Sequence, residues 1–161
     1  MKKLYIIRHA KSDWTLGQKD IDRVLNRRGE KQSIELGNYF TSNNLYPDLI
    51  ISSIAKRTQL TARNIANEID YPFDQIKKEA SIYEAHYEQL LQTIWGIPNK
   101  VNSVFFVGHN PGVSDLVSFL TGEYVDFKTS CVAVIDFSTL QKWEDIESYS
   151  GELIDFITPN K

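Results

Sequence analysis

At 161 residues, 42% hydrophobic and 24% charged, the chain is sized for a single domain spanning 1–161, with a core that needs no disulfide or metal as a staple. A net charge of -3 provides no global positive field. That argues against nucleic acid as a partner and confines any anion site to a local cluster of cations. Cys131 is the only cysteine, which excludes an internal disulfide and a cysteine-based zinc site.

The first apolar run, Leu4-Tyr5-Ile6-Ile7, reads as a buried strand that stops at Arg8 and His9. Arg8 comes too early for the run to be the apolar part of a signal peptide, and no later run approaches the ~18 residues that span a bilayer. The expectation is a cytoplasmic protein with no membrane contact. Residues 10 to 27 are polar and read as a long loop. A helix is predicted from about Gly29 to Tyr39, a strand at Leu49-Ile50-Ile51, and a helix from about Lys56 to Ile69. A weaker strand falls near Ile76, and another helix runs from about Tyr87 to Trp95. Val104-Phe105-Phe106-Val107 is the clearest strand. Asn110-Pro111 opens a helix through Leu120, with Pro111 suited to the first turn. Cys131 to Phe137 and Trp143 to Tyr149 read as a closing pair of strands. Alternating strands and helices predict an α/β fold: a three-layer α/β/α sandwich around a mostly parallel sheet.

In such a sheet, ligands bind beyond the carboxyl ends of the strands. Three polar groupings fall there: Arg8-His9 after the first strand, Ser52-Ser53 leading to Arg57 after the second, and Gly108-His109-Asn110 after the fourth. Each has an ordinary explanation as a surface arginine or a hydrogen-bonded histidine. Independent structural choices would not place two arginines and two of only three histidines at one edge. The set suits a phosphoryl group, because guanidinium forks match phosphate oxygens and a neutral imidazole can attack phosphorus. Cationic neighbours would hold that imidazole neutral. Ser12 can add a hydroxyl from the first loop.

These residues resemble the motifs of the histidine phosphatase superfamily, which has the phosphoglycerate-mutase-like fold. Leu4-Tyr5-Ile6-Ile7-Arg8-His9-Ala10 is similar to its Arg-His-Gly signature, with Ala10 in place of the glycine. Ser52-Ser53-Ile54-Ala55-Lys56-Arg57-Thr58 resembles the second motif and Val107-Gly108-His109-Asn110 the third. Ala10, the Lys11-Ser12-Asp13-Trp14 continuation and the short chain resemble the small SixA-like phosphohistidine phosphatase branch. The resemblance implies a metal-independent phosphatase with no cofactor. His9 is then the phosphorylated nucleophile, Arg8, Arg57 and His109 are the clamp, and Ser12 is a further contact. Larger members carry an acid in a Leu-x-Glu segment; Ile82-Tyr83-Glu84 falls at the corresponding place, making Glu84 the candidate proton donor and Asp13 the alternative. An imidazole leaves a phosphoramidate more readily than an alkoxide leaves an ester, so no acid at all is a third option. The implied partner is a phosphorylated substrate, with a phosphohistidine-bearing signalling or carrier protein first among them. Phosphatase action on a small metabolite, phosphoglycerate-type mutase action and a non-catalytic phosphate-binding module are the alternatives. His9, His86 and His109 lack a metal-ligand spacing such as His-x-x-x-His. The sequence leaves the oligomeric state open.

Overall fold

Side chains alternate across a strand, so the first apolar run feeds two cores at once. Leu4 and Ile6 enter one buried cluster, whereas Tyr5 and Ile7 enter another on the opposite face. The computed structural model describes residues 1–159. Among them, six strands form one sheet: β1 (Lys2–Arg8), β2 (Leu49–Ser53), β3 (Lys77–Glu79), β4 (Ser103–Gly108), β5 (Val132–Phe137) and β6 (Glu152–Ile157). Their order is β3-β2-β4-β1-β5-β6. The first four run parallel, β5 is antiparallel to β1, and β6 is antiparallel to β5.

Helices α1 (Arg27–Ser42) and α2 (Lys56–Glu68) cover one face with Leu36, Phe40, Ala62 and Ile65. Helices α3 (Tyr87–Trp95) and α4 (Gly112–Thr121) cover the other with Leu90, Ile94, Leu116 and Leu120. The three-layer α/β/α arrangement is the one expected. No helix among the described residues is long and apolar enough to cross a membrane.

Two local expectations are corrected. Residues 143–149 do not form a strand. Trp143–Asp145 is a 3-10 turn, and Trp143 and Ile146, three residues apart, both point into the core. The Trp143 indole N–H donates to the Val101 carbonyl at 2.8 Å. The closing strand comes later, as β6, an edge strand that is largely exposed and so lacks an apolar signature. The segment 10–27 is also more ordered than a loop. Asp13 N–H donates to the Val24 carbonyl, and Asn26 N–H to that of Lys11. The two arms are thereby zipped together and carry a 3-10 turn at Asp20–Asp22. Gly29 makes this possible, since a Cβ there would lie 2.1 Å from the Lys11 carbonyl oxygen.

Candidate active site

The register sets the site. Arg8 at the end of β1 pairs with Gly108 at the end of β4, and Ser52 of β2 pairs with Val107. Three parallel strands therefore end at one edge, and His9, Ser53 and His109 follow at the same level. Arg57 enters from the first turn of α2. A cavity of about 490 Å³ opens there, lined by Arg8, His9, Ser12, Arg57 and His109 together with Arg23. Lys11, Lys128 and Asn110 also reach it.

His9 is 7% exposed. Its Nδ1 lies 2.7 Å from its neighbour Ala10's carbonyl oxygen. A carbonyl can only accept, so Nδ1 carries the proton and Nε2 keeps its lone pair. Burial, reinforced by His109, Arg57 and Arg8, lowers the His9 pKa from 6.5 to about 3. Burial and Arg57 lower that of His109 to about 4. The two rings lie 5.4 Å apart, and His109 Nε2 meets the Ser53 hydroxyl at 2.8 Å.

The guanidinium groups are held from behind. Arg8 donates to the Phe127 carbonyl at 3.0 Å, and the Asn110 amide donates to the same oxygen at 2.8 Å. Arg57 donates to both the backbone carbonyl and the carboxylate of Asp20, at 2.8 and 3.2 Å. Arg23 donates to Asp20 at 3.0 Å and to the Ser12 hydroxyl, and its guanidinium stacks on exposed Trp14. The Tyr83 hydroxyl donates to Asp20 at 2.5 Å. These bonds, Tyr83's first, draw the Asp20 pKa down to about 2, so this carboxylate is a fixed anion and not an acid. Arg8 Nε, Arg57 Nε and His109 Nδ1 are buried without a partner among the described residues. Such groups are costly unless an acceptor meets them, as a bound oxyanion can.

The structure brings Arg8, His9, Ser12, Arg57 and His109 together. It does not bring Glu84 or Asp13 into the cavity lining. Glu84 is exposed, in a left-handed backbone conformation (φ 54°) beside Tyr83. The Asp13 carboxylate is engaged by Thr15 through its N–H at 2.7 Å and its hydroxyl at 2.6 Å. His86 is exposed at the start of α3. Sequence reasoning missed Asp20, Arg23 and Tyr83. Their only trace was the Asp20-x-x-Arg23 spacing, which gives a local ion pair.

The lowered histidine pKa values predict a pH dependence. Between pH 6.5 and about 3 the unfolded chain binds protons that the folded imidazoles refuse, so stability is full above 6.5 and falls with acidification below it. The drop in Tm from pH 7 to pH 5 should shrink in the double variant His9→Asn/His109→Asn. An unchanged drop would assign the effect to other groups.

A model described as the histidine phosphatase superfamily (branch 1) matches residues 4–100. A solved structure from Agrobacterium tumefaciens, assigned as the phosphohistidine phosphatase SixA, is 30% identical, with a TM-score of 0.80 over 98% of each chain. The protein histidine phosphatase SixA in complex with tungstate shares the fold at 19% identity, with a TM-score of 0.83 over 97% of this chain and 96% of that one. A 2,3-bisphosphoglycerate-dependent phosphoglycerate mutase of Arthrobacter sp. (strain FB24) is 30% identical over 93 residues, 55% of this chain and 37% of the mutase.

Proposed function

Because the chain belongs to the histidine phosphatase superfamily and is a hydrolase of the phosphatase type, we propose that it removes the phosphoryl group from phosphohistidine on a protein, through a covalent intermediate on His9. The Nε2 lone pair of His9 attacks phosphorus in line, and the P–N bond to the substrate imidazole breaks. That imidazole, protonated on its far ring nitrogen, takes the bonding pair and departs neutral. Water then attacks the phosphorus on His9, the P–Nε2 bond breaks with its electron pair returning to Nε2, and inorganic phosphate leaves as dihydrogen phosphate carrying both of the water's protons. Arg8, Arg57, Arg23 and His109 hold the phosphoryl oxygens through both steps, with Ser12 as a further contact.

The observation that carries the substrate assignment is that, among the described residues, no carboxylate lines the cavity. An alkyl phosphate would expel an alkoxide and needs an acid, a contribution of about 10²–10⁴-fold. The second step of this mechanism is already the hydrolysis of a phosphohistidine. A phosphohistidine substrate therefore asks of the site only chemistry it must perform on itself. The Agrobacterium tumefaciens neighbour, 30% identical, is described as a phosphohistidine phosphatase, which supports the same reading.

Phosphoimidazole is expected to be hydrolysed at least about 10²-fold faster than an alkyl phosphate of similar size. Glu84→Gln should alter phosphoimidazole turnover by less than about threefold. Equal rates on both substrates, with a large loss on the ester in Glu84→Gln, would make Glu84 the acid and esters the substrate. Mutase action is the second reading, motivated by the partial match to a mutase. About two dozen residues separate Glu84 from His109, and α3 and β4 occupy most of them, leaving no covering segment there to exclude water. Phosphoryl transfer to a sugar acid in a primed assay would decide for the mutase.

A further inference from the structure

The groove that continues from the phosphoryl cavity bears on what carries the phosphohistidine, and the inference rests on the reading above. Three cavities adjoin. The one containing His9 shares Lys11, Lys128 and Thr129 with a second of about 500 Å³. The second shares Gln32, Thr158 and Pro159 with a third of about 140 Å³. One wall is α1, through Arg28, Gln32 and Tyr39, and the other is the chain from Phe156 to Pro159. A small ligand fills a site of roughly 300–1,000 Å³. The first cavity alone meets that need, and the continuation along α1 suits an extended polypeptide.

Charge is unevenly spread along this path. The second cavity has Lys11, Arg28 and Lys128 against one carboxylate, Asp126, which faces Lys128 at 3.7 Å in an exposed pair. The charged residue of the third is Glu35, itself 3.8 Å from Lys31. Among the described residues, the positive charge is thus confined to the stretch next to the phosphoryl site. Phe156, Pro159 and Cys131 give the same stretch an apolar side.

We propose that this groove docks the polypeptide bearing the phosphohistidine, with an acidic side chain flanking that residue held by Lys11, Arg28 and Lys128 and an apolar neighbour against Phe156 and Pro159. Charge complementarity of this kind sets specificity and encounter rate more than it sets raw affinity.

The test uses the full chain with two phosphohistidine peptides differing only in flanking glutamates or lysines, and with phosphoimidazole and N-acetylphosphohistidine as small substrates. The glutamate peptide is expected to have roughly tenfold higher kcat/KM, mainly through KM, and to lose the advantage at high salt. Arg28→Glu tests the groove without entering the phosphoryl cavity. Arg28 is exposed in the first turn of α1, where a carboxylate favours the helix dipole, so the variant should fold. It should reduce the preference to about twofold or less and leave phosphoimidazole turnover unchanged. Equal kcat/KM for the two peptides in the wild type, or a preference that survives Arg28→Glu, overturns the groove assignment. A gain by N-acetylphosphohistidine over phosphoimidazole as large as the peptide effect overturns the polypeptide occupant and makes the groove a small-anion site. Absence of phosphoimidazole turnover in the wild type instead overturns the phosphoramidate reading, and the groove assignment with it.

Discussion

His9→Ala is expected to abolish turnover, with kcat reduced on the order of 10⁴-fold or more, while the protein stays folded. The loss is large because in the proposed mechanism the phosphoryl group bonds to the Nε2 that the Nδ1–H···O=C bond to Ala10 leaves free. An alanine there leaves the cations in place, and phosphate should still bind. The distinguishing measurement is a rapid quench at alkaline pH, where phosphohistidine survives, followed by mass analysis. Wild type should gain the mass of one phosphoryl group on the peptide containing His9. His109→Ala should also form the adduct, more slowly, whereas His9→Ala should form none. Full activity in His9→Ala combined with strong inhibition by a chelator would overturn the covalent mechanism in favour of a metal-activated water.

Arg57→Ala should lower kcat/KM by about 10²–10³-fold, the size expected for losing a preorganised charged donor to the equatorial oxygens. Arg57 is buried and braced by two bonds to Asp20, so its orientation is set before substrate arrives. Lysine cannot reproduce a planar fork that engages Asp20 on one side and an oxyanion on the other, so Arg57→Lys should recover little of the loss. Asp20→Asn leaves the guanidinium but weakens its brace, and an intermediate defect expressed mainly in kcat is expected. A KM effect alone in Arg57→Ala would reduce this arginine to a ground-state anchor. Wild-type kinetics in Asp20→Asn would show that the brace is dispensable.

Arg8, His9, Arg57 and His109 were legible as a group because each follows or closely trails a clear apolar run, and parallel strands must end together at one sheet edge. The partner that fixes the His9 tautomer is the carbonyl of its own neighbour Ala10, a contact the sequence does not show. Asp20 could not be found in this way. It lies in a polar segment without periodicity, and its partners Arg57 and Tyr83 are 37 and 63 residues away. Glu84 is a different case. Its position in the chain matches a motif, but the motif does not say whether the side chain lines the cavity, and here Glu84 is exposed beside Tyr83 and is not among the lining residues.

By itself, then, the sequence determined the alternation of strands and helices, the two-faced core of β1 and the four residues gathered at the strand ends. All of these follow from short-range periodicity and from the shared direction of parallel strands. Only the tertiary structure decided that β1 lies between β4 and β5, that the last strand is the exposed β6, and that Asp20 braces two arginines. It also decided that the cavity gathers cations and imidazoles, with no carboxylate in its lining among the described residues. Those features depend on which distant segments meet, and the free energy that selects the meeting comes from packing and charge pairing across the fold, not from any window of neighbouring residues.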